Sequence, residues 1–229
     1  MAGANMDVTV ICIGDELLTG DVDDVNSTWL ARQLAETGAI LKRILVIPDE
    51  IDVIIAEIKQ AATDKVIITG GLGPTHDDIT RFAVARAAGV GLHRDLAAIK
   101  VVEKNRGKLA ESAYVMADIP DGATVINNPV GAAPGFIVNS RIYVFPGVPA
   151  EMKAMFELVR DHFKGQKLIV DWLIIRKPET EIVPTLNEAV KRFPTVAFGS
   201  YPSDILKIKM KSYDGNAVKQ AKEWLAARL

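Results

Sequence analysis

Apolar residues alternate between short runs and helical stripes through the first two-thirds of the chain. Val8–Ile13 is a short apolar run rich in β-branched residues and closed by Gly14, and its even hydrophobicity predicts a strand buried on both faces. Trp29, Leu30, Leu34 and Ala35 follow at helical spacing, with Gly38 as the stop. Ile40–Ile47 returns to strand character, and Ile51, Ile54, Ile55 and Ile58 mark one face of a helix. Lys65–Thr69 is a third strand, closed by Gly70, Gly71 and Gly73, and helices are predicted over Asp78–Ala88 and Leu96–Gly107. This alternation specifies a three-layer α/β/α domain with a mostly parallel sheet.

Shorter strands are expected at Thr124–Ile126, Gly135–Val138 and Ile142–Phe145, before a helix lined by Met152, Met155, Phe156, Val159 and Phe163. The pattern changes around Lys164-Gly165-Gln166. Leu168–Ile175 reads as a strand. A helix through Leu186 and Val190 follows, with Pro184 tolerable only near its first turn. Strands near Val196–Ser200 and Ile205–Lys211 and a last helix carrying Val218, Ala221, Trp224 and Leu225 complete a β-α-β-β-α unit. The expected division is a site-bearing domain over 6–165 and a small α+β annex over 166–229, in which Trp172 and Trp224 suit buried contacts.

Composition narrows the function classes. With 49% hydrophobic and 24% charged residues, the 229-residue chain can bury a sizeable core. No uncharged apolar run reaches the ~18 residues of a membrane span, and the N-terminus lacks the pattern of a secretory signal, so a cytoplasmic protein is expected. Cys12 is the single cysteine, which excludes an intramolecular disulfide and a cysteine-rich zinc site. Net charge is −2. Residues 1–167 carry 17 basic against 22 acidic residues, and 168–229 carry 10 against 7, too even a balance for a polyanion partner. Aromatics at 6% leave few stacking platforms, and 168–229 contains no Gly-x-x-Gly loop, so nucleic acid is not an expected partner.

Candidate chemistry lies in the turns after the strands. Thr69-Gly70-Gly71-Leu72-Gly73-Pro74-Thr75-His76-Asp77-Asp78-Ile79-Thr80 joins a buried strand to a helix at the carboxyl edge of the sheet, where open α/β proteins bind ligands. Its glycines let backbone amides approach a phosphate, yet no Gly-Lys-Ser/Thr follows, so it is not a Walker loop. Asp77 and Asp78 would repel that phosphate unless a divalent cation lay between; otherwise one of them simply caps the helix. Gly14-Asp15-Glu16, Pro48-Asp49-Glu50, the 128–135 turn and the 146–152 turn fall at the same edge. His76 is an incidental loop histidine.

Together these segments resemble the N-terminal region of the CinA proteins, within the wider molybdopterin-binding fold of MoaB, MogA and gephyrin. The matching stretches are Gly-Asp-Glu-Leu-Leu at 14–18, Asn26, Thr-Gly-Gly-Leu-Gly-Pro-Thr-x-Asp-Asp-x-Thr at 69–80, Asn-x-x-Gly-x-Ala-Pro-Gly at 128–135 and Pro-Gly-Val-Pro-x-Glu-Met at 146–152. Phe198-Gly199-Ser200-Tyr201-Pro202 resembles the family's KH-like annex. The resemblance implies a metal-dependent hydrolase splitting ADP-ribose into AMP and ribose 5-phosphate, with molybdopterin binding or adenylylation as the alternative. It implies Asp49, Asp77 and Asp78 as catalytic carboxylates, and Asp15, Glu16 and Asp78 as ligands of Mg²⁺, Mn²⁺ or Co²⁺. Gly14, Asn26, Gly70, Gly71, Gly73, Thr75, Asn128, Gly131, Pro146 and Gly147 would surround a nucleotide substrate. A homo-oligomer, dimer or trimer, is expected. Val25 stands where the family often has Thr, and the amidase domain of full-length CinA does not lie within these residues, so nicotinamide mononucleotide deamidation is not expected.

Overall fold

A computed structural model describes residues 6–106, 110–203 and 205–229. The chain divides into two compact units, the first ending at Gly165 and the second spanning Gln166–Leu229. In the first, a six-stranded sheet is built from β1 (Asp7–Ile13), β2 (Ile40–Ile47), β3 (Lys65–Thr69), β6 (Thr124–Ile126), β7 (Gly135–Val138) and β8 (Ile142–Phe145). The order is β2-β1-β3-β8-β7-β6. The first four strands run parallel, and β7 and β6 each reverse.

Burial on both faces is what the hydrophobic run of β1 requires. Val8, Val10 and Cys12 pack on one side with Leu30 and Leu34 of α2 (Val25–Thr37) and Met152 and Phe156 of α6 (Pro149–Val159). Ile11 and Ile13 pack on the other with Ile54 and Ile58 of α3 (Ile51–Gln60), Val84 of α4 (Thr80–Ala88) and Val102 of α5 (Leu96–Arg106). The predicted end of α5, Gly107, lies outside the described residues. Asp24 caps α2 by accepting the Ser27 amide at 2.9 Å, and Gly38 closes it in the left-handed conformation. Cys12 is buried, and its thiol is pushed up to about 12, chiefly by that burial, which rules it out as a nucleophile.

Two features depart from expectation. A two-stranded ribbon pairs β4 (Leu92–Arg94) with β5 (Asp118–Pro120), both too short to show a period of two. α4 begins at Thr80 rather than Asp78, because Asp78 is engaged in the preceding loop; its N-cap, Ile79, offers no side-chain bond.

In the second unit, β9 (Ile169–Ile175), β10 (Ala197–Tyr201) and β11 (Leu206–Ser212) form an antiparallel sheet in the order β10-β11-β9. One face packs Ile208 and Met210 against Ile182 and Ala189 of α7 (Glu179–Arg192) and Val218 and Leu225 of α8 (Gly215–Ala226). Trp172 is not part of this core. It lies on the other face, edge-on to Tyr201 at 5.2 Å and with the Lys209 ammonium 5.3 Å from its ring centre. Pro184 stands inside α7 rather than in its first turn. Among the described residues no helix is long and apolar enough to cross a membrane.

Candidate functional site

In a doubly wound sheet the ligand crevice opens where the strand order reverses, outside the carboxyl ends of the strands. Here the chain leaves β1 towards β2 and leaves β3 in the opposite direction, so that point lies between Gly14 and Gly70. A mouth of about 430 Å³ opens there. Gly14, Glu16, Asp49, Gly70–Gly73, Asp77, Asp78, Pro146, Gly147 and Glu151 line it, together with Met116, Ala132, Ala133 and Val148. Turns distant in sequence therefore meet at one cavity.

Backbone geometry explains the glycines. Gly70 and Gly71 have φ of +109° and +63°. A Cβ at Gly70 would overlap the Ile13 carbonyl, and one at Gly71 would overlap the Thr80 hydroxyl. The amides divide into two groups. Gly14 N–H donates to Ile47 O, Gly70 N–H to Phe145 O and Gly73 N–H to an Asp78 carboxylate oxygen, so these three are spent on the fold rather than facing a ligand. Among the described residues, the amides of Gly71, Leu72, Gly147 and Val148 have no protein acceptor. A Cβ on Gly147 would meet Gly70 Cα at 3.4 Å, so the β3 and β8 turns abut. Free amides on adjoining turns form the concave donor set that suits an anion.

The acids have distinct roles. Asp78 accepts from the Gly73 amide at 2.7 Å, the Thr75 amide at 2.9 Å and the Thr75 hydroxyl at 2.5 Å, so Thr75 and Asp78 close the glycine loop on itself. Asp77 is exposed at the lip, with His76 3.9 Å away. Asp15 is exposed outside the mouth, and its amide bonds the Asp49 carboxylate. Glu16 and Asp49 line the cavity. Burial raises the Asp49 carboxyl above its ordinary range; Asp15, Glu16 and Asp77 add repulsion, and the Asp15 amide opposes the shift.

Among the described residues, no three Asp, Glu, His or Cys side chains are grouped to hold a metal ion, so Asp15, Glu16 and Asp78 are not a ready-made cage. Asp78 already accepts three loop bonds, and Asp15 stands outside the cavity. The donor set fits the other way in which Mg²⁺ is held, by one or two carboxylates plus the phosphate oxygens of a ligand. Asp49 and Glu16 are the carboxylates placed for that.

Asn26 and Asn128 stand behind the walls. Asn26 Nδ2 donates to Gly147 O at 2.7 Å, and Asn26 borders a smaller cavity of about 100 Å³. Asn128 is fully buried; its Oδ1 accepts from the Val130 and Gly131 amides, and its Nδ2 donates to Ala133 O and Glu151 Oε2. It shapes the turn and orients Glu151.

Two residues carry weight that their sequence positions did not announce. Glu151 belongs to the 146–152 turn but received no role. Arg81 is 1% exposed beneath the glycine loop, where Nη1 donates to Leu72 O at 2.7 Å and Nη2 to Gly73 O at 3.0 Å and Asp78 O at 3.4 Å. Burial lowers its pKa from the ordinary value, with Asp78 and Asp118 acting the other way. An arginine in the first turn of a helix is usually solvated, so sequence offered no signal for this placement.

Comparison with known proteins agrees with this architecture. Residues 9–163 match the family described as a probable molybdopterin binding domain, and residues 167–229 match the middle domain of FAD synthase. A protein of Archaeoglobus fulgidus is 36% identical over 94% of this chain and 95% of its own length. A CinA-like protein of Frankia casuarinae is 37% identical over 84% of this chain, which spans about half (51%) of that protein. The crystal structure of a CinA protein of unknown function from Thermoplasma acidophilum superposes with a TM-score of 0.65 at 34% identity, covering 69% of this chain and 99% of its own. The chain thus belongs to the molybdopterin-binding domain family, in its CinA-like branch.

Proposed function

We propose that the mouth binds a phosphorylated pterin of the molybdopterin class, its phosphate seated on the free amides of Gly71, Leu72, Gly147 and Val148. The observation that carries this reading is that the β3 and β8 turns abut and leave those four donors without a protein acceptor among the described residues. The family description of residues 9–163 supports the pterin. Arg81 lends a positive charge beneath a wall otherwise lined by acids.

A second reading, hydrolysis of the phosphoanhydride of ADP-ribose to AMP and ribose 5-phosphate, is favoured by the acidic wall of Glu16, Asp49, Asp77 and Glu151. The match of 167–229 to a segment of FAD synthase supports a dinucleotide-like ligand. In either reading a divalent cation would be held by Asp49 and Glu16 with the ligand's phosphate oxygens, and would supply neutralisation of phosphate charge. The chain's own contribution to hydrolysis is to orient the phosphates on the backbone amides of Gly71, Leu72, Gly147 and Val148.

One panel tests both readings. Purified protein is titrated with molybdopterin, incubated with molybdopterin, ATP and Mg²⁺, and incubated with ADP-ribose and Mg²⁺, Mn²⁺ or Co²⁺. Molybdopterin binding lost in Gly147→Val supports the first reading. AMP release from ADP-ribose lost in Asp49→Asn, without pterin binding, replaces it with the second. Absence of both overturns the site.

A further inference from the structure

The opposite end of the same sheet carries a second polar cavity, of about 400 Å³, lined by Lys65, Thr124, Ile137, Ser140, Tyr143 and His162. Lys65 opens β3 and Tyr143 lies near the start of the parallel strand β8, so the cavity is separated from the glycine mouth by the length of those strands. It contains an ammonium, a phenol and an imidazole but no carboxylate.

A hydrogen-bond chain runs through it. Lys65 Nζ donates to Ser140 O at 2.5 Å and lies 3.5 Å from the Tyr143 hydroxyl, which stands 3.2 Å from His162 Nδ1. An ammonium can only donate, so the phenol accepts from Lys65, and its bond with His162 Nδ1 runs in the direction that the imidazole tautomer sets. In the tautomer whose Nδ1 accepts from the phenol, the N–H sits on Nε2 and faces away from Tyr143. Tyr143 is 2% exposed and clamped by Phe163 at 4.7 Å between ring centres. Burial raises its pKa, which keeps it a donor.

That arrangement leaves donors without acceptors. Ser140 takes one Lys65 N–H to hold the turn in which Asn139 and Ser140 both have left-handed φ, near +52° and +54°. The Tyr143 contact takes a second, and the third N–H, the Nε2 of His162 and the Thr124 hydroxyl have no protein partner among the described residues. Lys65, half-buried, has no carboxylate within ion-pair distance among the described residues. The adjacent acids are engaged elsewhere, Asp64 with the Asp7 amide at 2.8 Å and Asp161 with Lys164 at 2.9 Å. A partly desolvated charge without a counter-ion is costly unless an anion supplies one.

We infer that this cavity is a second binding site, for the oxyanion group of a small molecule, phosphate or carboxylate, held by Lys65, His162 and Thr124. Nothing in this inference depends on the ligand of the glycine mouth.

The chain's three histidines make the test direct, because His76 lies exposed beside Asp77 of the mouth, His93 sits on the β4–β5 ribbon and His162 lines this cavity. Imidazole ¹H–¹⁵N spectra of the full chain are followed while inorganic phosphate is added, and separately while acetate is added. The expected result is a saturable shift of His162 with at least one of the two, the responding anion identifying the group recognised, while His93 stays still. Any shift of His76 reports the mouth independently. Lys65→Met weakens the His162 response about 10–100-fold, the loss expected for one charge-assisted hydrogen bond, and Lys65→Arg retains it. Should Lys65→Met not fold, Tyr143→Phe serves instead, since loss of its hydroxyl frees the imidazole tautomer and weakens the response. A His162 resonance unmoved by both anions, or one whose response survives Lys65→Met undiminished, overturns the inference.

Discussion

Asp15 and Asp49 brace each other across two turns. The Asp15 amide donates to Asp49 Oδ2 at 3.1 Å, and the Asp49 amide returns a bond to Asp15 Oδ1 at 3.3 Å. The exchange locks the β1 and β2 turns together and places Asp49 in the mouth, at an electrostatic cost.

That cost has a sign. The folded-state pKa of Asp49 is raised by burial and then by Asp15, Glu16 and Asp77, so the folded chain binds the Asp49 proton more tightly than the unfolded chain. Stability from this group is therefore greatest below its unfolded pKa and falls as pH rises through the folded value. Asp49→Asn keeps an acceptor for the Asp15 amide and removes the charge. It raises the melting temperature at pH 7 by a few °C at most, because solvent screens the site, and the gain vanishes near pH 3. Thermal melts at the two pH values check this; a variant less stable than wild type at pH 7 contradicts the strain.

Arg81 ties the carbonyls of Leu72, Gly73 and Asp78 to one guanidinium. Arg81→Lys keeps the charge but cannot reproduce a planar fork reaching Leu72 and Gly73 together, so a buried carbonyl loses its partner. The expected loss is about 1–3 kcal/mol in urea denaturation. Phosphate-ligand affinity falls with it, because Leu72 supplies one of the free amides. A lysine variant as stable as wild type would place the loop's support elsewhere.

Gly71 faces two separate penalties on substitution. Its φ of +63° costs an L-residue roughly 1–2 kcal/mol, and an added methyl would strike the Thr80 hydroxyl. Thr80 is fully buried, and its Oγ1 has no hydrogen-bond partner among the described residues, so removing that hydroxyl forfeits no bond seen there. Gly71→Ala is accordingly destabilising by more than the conformational cost alone, and Thr80→Ala added to it restores part of the loss. A double-mutant cycle on chemical denaturation measures the coupling, and strict additivity would contradict the contact.

The limits of the sequence follow from the same geometry. The run Val8–Ile13 announced a strand covered on both faces, because continuous apolarity has no other economical use between glycine and polar turns. The convergence of turns followed from parallel strands, whose carboxyl ends share one edge. Hydrogen-bond direction did not follow. Nothing in Thr-Gly-Gly-Leu-Gly reveals that Gly70 and Gly73 spend their amides on Phe145 and Asp78 while Gly71 and Leu72 do not. Asp78 looked like a helix cap or a metal ligand, since both need a carboxylate near Thr80. Its two-pronged hold on Gly73 and Thr75 is decided by loop conformation. Leu92–Arg94 escaped notice because three residues cannot display alternation.

Pro184 marks the last discrepancy and offers a direct test. A proline in the first helical turn loses nothing, since those amides are unpaired. Here α7 begins at Glu179, so Pro184 falls past the first turn and the Thr180 carbonyl lacks its i→i−4 donor. Pro184→Ala restores that bond and relieves the ring's clash with the preceding turn, against a smaller loss from a freer unfolded chain. The net expectation is a gain of about 2 kcal/mol in the stability of this unit. Trp172 and Trp224 both lie in it, so fluorescence-monitored urea denaturation in a Trp29→Phe background isolates the transition. A midpoint that stays put, or drops, would mean that the proline is already accommodated at no cost, with the helix broken at Pro184 rather than continuous from Glu179 to Arg192.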